Sequence, residues 1–178
     1  MRVKPRHSST NESGEHCCQA ENGDTAAHWA GRWGQTECVR ILAQTDRVVH
    51  WNKRNEWGQA PLNLALINGH SDIVDIIVQQ PNIDYNVKTD VNETLAQAAV
   101  LGGNAKCVET LAAQERCECW NVSDINGYTP IIRALREGKT EMVEILLRCP
   151  RVDLNCRDKA GWSLVFRAIW RNKLGEEM

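Results

Sequence analysis

The sequence predicts an all-α solenoid of stacked helix-turn-helix units, and three observations predict it. Segments beginning at Thr25, Ala60, Thr94, Thr129 and Ser163 align so that Ala30, Ala65, Ala99, Ala134 and Ala168 share a column, spaced 35, 34, 35 and 34 residues apart. Gly34, Gly69, Gly103 and Gly138 form a second column, and Val39, Val74, Val108 and Val143 a third, five residues later. Between these points apolar residues recur at helical spacing. A fixed period of roughly 20 to 50 residues decides an architecture before any local reading does.

Taken in order, residues 1–20 are polar and carry no period, so they read as a flexible tail ahead of a repeat domain over 21–178. Five units follow, at roughly 21–54, 55–88, 89–123, 124–157 and a partial 158–178. The first opens with TAAHWAGRWG, closed by Gly34. In the second, Pro61 sits at a first helical position, where its missing N–H costs nothing, and Gly69 ends the helix. Ser71 then reads as the cap of a second helix that runs to Val78 and stops before Pro81. Thr94 and Thr129 open the third and fourth units in the same register. The fifth has a first helix over Ser163 to Asn172 but only Lys173 to Met178 where a second should follow. Such an end calls either for a longer array or for another surface over the exposed core.

The loops are periodic too. Asn52, Asn86, Asn121 and Asn155 each precede by six residues a turn position held by Gly58, Asn92, Gly127 or Gly161, with Gly23 ahead of the first unit. Gly and Asn tolerate the left-handed backbone that such a turn requires. Trp51, Tyr85, Trp120 and Leu154, each directly before the Asn, are expected to pack on the next unit. The Ala and Val columns, with Leu42, Ile77, Leu111 and Leu146, are expected in the core. Cys38 and Cys107 share a column with Ile73 and Met142 and should fill the same apolar slot.

Composition excludes several classes. The 178 residues carry a net charge of −2, with a pI near 6.2, which does not favour binding to phosphate backbones. No apolar run approaches the ~20 residues that cross a bilayer, and no apolar signal core follows Met1. The chain thus reads as soluble and intracellular, cytoplasmic or nuclear, with its eight cysteines reduced. Cys117-Glu118-Cys119 should lie exposed in a loop, too tightly spaced for a structural zinc site, and no metal or cofactor is expected. Asn11, Asn92 and Asn121 head glycosylation sequons that matter only in a secreted chain.

The fourth unit carries a family resemblance: Thr129-Pro130-Ile131-Ile132-Arg133-Ala134 through Gly138, then Val143, Leu146 and Leu147, and Asn155. It resembles the ankyrin repeat, whose unit is about 33 residues with a T-P-L-H-x-A signature. The likeness covers roughly residues 22–173; the first unit keeps His28 but has Ala26-Ala27 for Pro-Leu, and the third has Leu95 for Pro. The resemblance implies a non-catalytic module that binds a protein through loop tips and the concave side of the first helix. Leu147, eight residues before Asn155, also resembles the context in which some ankyrin loops are hydroxylated.

At those tips stand Trp57, Val91, Ile125, Tyr128 and Trp162, and at the first-helix seats Trp33, Ile67, Leu101, Arg136 and Trp170. These are the candidate partner-binding residues, since Trp, Tyr and Arg dominate binding hot spots. Trp57, Tyr128 and Trp162 are expected to stand in solvent on the side of Ile67 and Leu101. Trp162 and Trp170 have a second reading, as caps on the open end of the core. Arg32, Arg136 and Arg171 flank the stripe and favour a protein partner with an acidic rim, bound by a monomer or a segment of a longer array. The competing classes are a cysteine-based metal or redox regulator, in which Cys17, Cys18, Cys117 and Cys119 would have to converge, and the recognition part of a longer enzyme.

Overall fold

The computed structural model describes residues 20, 22–45 and 50–176, the last six by backbone alone. The Cys17, Cys18 and tail expectations lie outside them. Short helices alternate along the chain: α1 (Ala26–Trp33), α2 (Thr36–Gln44), α3 (Pro61–Ile67), α4 (Ser71–Val78), α5 (Leu95–Gly102), α6 (Ala105–Ala112), α7 (Pro130–Glu137), α8 (Thr140–Arg148) and α9 (Leu164–Glu176). The odd-numbered helices contact one another in sequence and form one row; α2, α4, α6 and α8 form a second. Each pair is thus a hairpin laid against the next, and the all-α solenoid expected from the period is the architecture observed.

The first helices stop where the glycine column stands, because Gly34, Gly103 and Gly138 adopt φ near 70°, a conformation that a Cβ disfavours. Asn172 holds that column in the fifth unit, and there the expected stop fails: α9 runs on to Glu176. Asparagine enters the left-handed region at a cost glycine avoids, and the helix-compatible Lys173-Leu174 that follow extend it instead. The second correction concerns Ser71, which is the first residue of α4 rather than its cap; His70 occupies the cap and makes no side-chain cap bond. Its ring is engaged elsewhere, Nε2 lying 3.3 Å from the Arg32 carbonyl of the preceding helix.

Ala30, Ala65, Ala99 and Ala134 are all buried, as their shared column predicts. Val39, Val74 and Val108 join them, as do Ile77, Leu111 and Leu146, while Leu42 and Val143 are half-buried. Trp51, Tyr85 and Trp120 are buried, and the Tyr85 hydroxyl donates to Gln114 of the next unit. The columns break only at the two ends of the described stack. Cys38 is exposed where Ile73, Cys107 and Met142 are buried, because no described unit precedes α2; Leu154 and Ala168 are exposed, against their columns, because no described element covers them.

Two hydrogen-bond ladders set the spacing of the loops. Asn52 Nδ2 donates to the Asn82 carbonyl at 2.7 Å while its Oδ1 accepts from Asp84 N–H, and Asn121 repeats the pattern with Arg151 and Asp153. Asn86 Oδ1 accepts from Glu118 N–H. The second ladder runs through the third residue of the first helices: His28 accepts from Thr25 N–H at Nδ1 and reaches the Gln59 carbonyl with Nε2, and Gln97 accepts from Thr94 N–H and donates to the Tyr128 carbonyl at 2.6 Å. Each such side chain closes its own helix and fixes the next loop.

Candidate functional site

Each loop tip is built on one short acceptor. Asn55 Oδ1 takes the N–H groups of Trp57 and Gln59, Asp124 Oδ1 those of Asn126 and Tyr128, and Asp158 Oδ1 those of Ala160 and Trp162. Thr89 plays the same part for Glu93 N–H. These side-chain turns, completed by φ near 57° to 80° at Gly58, Asn92, Gly127 and Gly161, raise a residue at each tip. The tips are then tied edge to edge: Glu56 N–H donates to the Asn22 carbonyl, Asp90 N–H to Trp57, Ile125 N–H to Val91 and Lys159 Nζ to Ile125. Trp57, Val91 and Ile125 therefore stand in a row on successive units, 49%, 50% and 54% exposed.

The other expected residues are less free. Tyr128 and Trp162 are half-buried, contrary to the expectation that they stand in solvent, because guanidinium groups lie over their rings. Arg136 is 4.8 Å from the Tyr128 centroid and Arg167 is 5.8 Å away; Arg167 also lies 4.6 Å from that of Trp162, whose ring further meets Phe166 and Trp170. Arg32 lies 5.9 Å over Trp57. Ile67 and Leu101 are half-buried as well, because α5 closes on α3 there: a Cβ on Gly102 would collide with the Leu66 carbonyl, and Lys139 Nζ donates to Leu101 O. Trp33 is the most open, stacked on Trp29 at 6.5 Å. It faces the N-terminal end of the row, since Gly102, in its column, touches the preceding helix. Trp170 is exposed beside Phe166.

Arg32, Arg133 and Arg167 are held by the buried carboxylates of Asp24, of Glu93 and Asp124, and of Asp158, with the exposed Glu137 also on Arg133. Arg32 pairs with Asp24 at 3.2 Å, Arg133 with Glu93 at 2.8 Å, Asp124 at 3.6 Å and Glu137 at 3.1 Å, and Arg167 with Asp158. Burial pushes the Glu93 carboxyl above its usual range even with Arg133 beside it. Burial pushes Asp158 the same way, but the N–H of Trp162 and the Arg167 guanidinium outweigh it and hold the carboxyl below its usual range. Arg167 and Trp29 escaped the sequence reading, although both lie in one column, with Arg133, directly before the Ala column.

Cys117 and Cys119 correct the sequence expectation twice: both are buried, and their sulfurs are joined in a disulfide. Cys117 N–H closes the turn after α6 on the Gln114 carbonyl, and Thr94 Oγ1 donates to the Cys119 carbonyl, so the segment is drawn under the third unit with Cα atoms 5.3 Å apart. Among the described residues no three His, Cys, Asp or Glu side chains gather as a metal site would need, and no helix is long and apolar enough to cross a membrane.

A family model described as ankyrin repeats (3 copies) matches residues 7–89 and 82–158. Among curated relatives, the chain is similar to rabankyrin-5 of Mus musculus, 32% identical over 111 residues that make up 62% of this chain and 9% of that protein. It is 32% identical over 101 residues to the SMC5-SMC6 complex localization factor protein 1 of Bos taurus, covering 56% of this chain and 9% of that one. With the target of rapamycin complex 2 subunit AVO2 of Saccharomyces cerevisiae it shares 27% over 145 residues, 80% of this chain and 34% of the other. The chain thus spans about a third or less of the length of these relatives.

Proposed function

Because the chain belongs to the ankyrin-repeat family, whose domains are generally non-catalytic interaction modules, we propose that it binds another protein, as a scaffold, adaptor or inhibitor, through its loop tips and first-helix face. The observation that carries this reading is the row of Trp57, Val91 and Ile125. Three large apolar side chains half in solvent on consecutive units, their backbones tied side by side by hydrogen bonds, form a stripe with no layer of the described residues above it. A loop backbone fixed in advance loses little entropy on binding. Beside the stripe, Arg136 with Tyr128 gives it a basic, aromatic border, while Arg32 lies over Trp57 and is held by Asp24. Such a border suits a partner with acidic groups around an apolar centre. Trp33, Ile67, Leu101, Trp162 and Trp170 extend the surface to varying degrees, and the chain acts without cofactor or catalysis in the cytoplasm or nucleus.

The test is capture from cell extract by the wild-type chain beside a Trp57→Ala/Val91→Ala/Ile125→Ala form. The proteins lost from the variant, while its melting temperature and circular dichroism hold, are the tip partners. If the same proteins bind both forms equally, the tips are not the binding face.

A further inference from the structure

The loop of the third unit is one residue longer than those on either side of it. Along the Asn ladder the incoming N–H comes from Asp84, Glu118 and Asp153, and the next Asn of the column, Asn86, Asn121 or Asn155, follows two, three and two residues later. In the second and fourth units the Asp itself closes that short step: Asp84 Oδ1 accepts from Asn86 N–H at 2.9 Å and Asp153 Oδ1 from Asn155 N–H at 2.8 Å. The third unit has Glu118 there between two cysteines, and the Cys117–Cys119 disulfide draws in the added residue instead. Both cysteines are buried while Glu118 is exposed, so the loop lies at the surface with its sulfurs turned inward.

We propose that Cys117 and Cys119 form a reversible dithiol–disulfide switch, opened by a dithiol reductant, whose state sets the third loop and with it the Ile125 tip. A reductant thiolate attacks one sulfur, the S–S bond breaks, and the departing cysteine leaves as a thiolate that takes up a proton; the second thiol of the reductant then cleaves the mixed disulfide, frees the other cysteine and leaves as a cyclic disulfide. Two electrons and two protons pass to the protein, and a disulfide oxidant reverses the exchange. Three features make both states tenable. A cross-link over so short a separation takes the least entropy from the unfolded chain, so the fold does not depend on it, and the two thiols stay neighbours after reduction. Cys117 Sγ lies 4.0 Å from the Tyr85 carbonyl, which can accept the thiol proton once the bond is open. Trp120 Nε1, next along the chain, is buried without a hydrogen bond, a cost that a relaxed loop can relieve. In the cytoplasm or nucleus, the compartments proposed above, such disulfides as form are mostly transient and redox-sensing.

The loop runs directly into the row of tips. Thr94 Oγ1 donates to the Cys119 carbonyl, and Gln97 Nε2 reaches the carbonyls of Val122 and Tyr128, so the chain on both sides of Ile125 hangs from the cap of α5. Ile125 N–H in turn is bonded to the Val91 carbonyl of the tip before it. On the other side, Arg151 of the fourth unit donates to the carbonyls of Ala112 and Gln114 and holds the turn ahead of Cys117. Slack released between Cys117 and Cys119 therefore moves toward the tip and not back into α6. The effect on binding rests on the reading of the tips as the partner face; the thiol chemistry does not.

The test takes the full chain through dithiothreitol and then oxidised glutathione. Cleavage after Arg116 and Arg133 yields segment 117–133, which holds these two cysteines alone, and its mass should rise by two hydrogens on reduction and lose them on oxidation. Hydrogen exchange at the Ile125 amide should quicken at least about fivefold on reduction, and equally in Cys117→Ser/Cys119→Ser, while α3 and α4 keep their rates and the circular dichroism holds. Cys38→Ser should switch as the wild type does. The proposal is overturned if both cysteines stay thiols after oxidation, if the disulfide yields to dithiothreitol only where the whole chain unfolds, or if Ile125 exchanges alike in both states; none of these touches the reading of the tips. A chain that switches as expected, but whose Trp57→Ala/Val91→Ala/Ile125→Ala form keeps every partner, upholds the switch and refutes the tip reading alone.

Discussion

Lengthening one buried side chain by a methylene should stabilise this protein. His28, Asn63 and Gln97 hold the same place in three consecutive units, and each accepts the N–H of its own helix cap, at 3.1, 2.9 and 2.7 Å. His28 and Gln97 also reach forward to the carbonyls of Gln59 and Tyr128, which already accept from Asn55 and Asp124 N–H. Asn63 is too short to do so: its Nδ2 is buried without a hydrogen bond, and the carbonyl in the matching position, that of Glu93, accepts from Thr89 N–H. A buried unsatisfied donor costs about 1–3 kcal/mol. Asn63→Gln adds the missing reach; after about 1 kcal/mol for the extra rotamer freedom lost, a net gain of up to about 2 kcal/mol is expected. For a chain of this size that is a rise of up to about 8 °C in melting temperature. The reverse exchange, Gln97→Asn, should strand an amide and cost about 1–3 kcal/mol. Thermal and urea melts of both variants decide the matter. If Asn63→Gln melts below wild type, or Gln97→Asn melts level with it, the forward bond is not what these side chains contribute.

Three further outcomes are expected. Ala99→Leu, overfilling a buried seat, should cost about 1–3 kcal/mol in urea unfolding; an unchanged midpoint would show that the column has room. Burial holds the His28 imidazole below its ordinary 6.5, and the Thr25 N–H aimed at Nδ1 opposes a proton there. With the folded value depressed, its share of stability is full above 6.5 and is lost as pH falls from 6.5 through the folded value. His28→Gln, which keeps cap and reach, should flatten that part of a urea-midpoint against pH curve, whereas an identical slope in the variant would assign the loss to other groups. Trp57→Ala should weaken partner binding by about 2 kcal/mol or more while shifting stability by less than about 1 kcal/mol, and calorimetric titration with a captured partner measures the first.

The fold was legible because a solenoid repeats its constraints. The Ala column is buried four times over since each unit repeats the same packing, and the glycine column stops helices since only glycine takes φ near 70° cheaply. What the period could not reveal lies where a unit has no described neighbour. Cys38 and Leu154 obey their columns in sequence and break them in space, and α9 outruns Asn172 because its stop residue is the one non-glycine of the set. The Cys117–Cys119 disulfide was invisible for a related reason: it belongs to one loop alone, so no second unit repeats it.

The candidate site was legible in kind but not in exposure. Trp57, Val91 and Ile125 were found from tip register, and the backbone bonds between tips make register a reliable guide there, since they force each tip to stand beside the last. Tyr128 and Trp162 share that register yet are half-covered, because Arg136 and Arg167 come from neighbouring helix columns, and a tip residue read by itself says nothing of what the helix beside it projects. Arg167 shows why the pairing matters. A guanidinium fastened by Asp158 on one side and laid on an aromatic face on the other cannot swing to meet an incoming carboxylate without giving up both contacts. Arg136 is exposed on α7 whereas Arg167 is half-buried, and it is this difference in exposure that makes Arg136 the better placed of the two to meet an acidic partner. Arg136→Ala should therefore slow association in low salt more than Arg167→Ala does, while Arg167→Ala should lower the melting temperature more; stopped-flow binding beside thermal melts separates the two, and equal effects in both assays would refute the distinction.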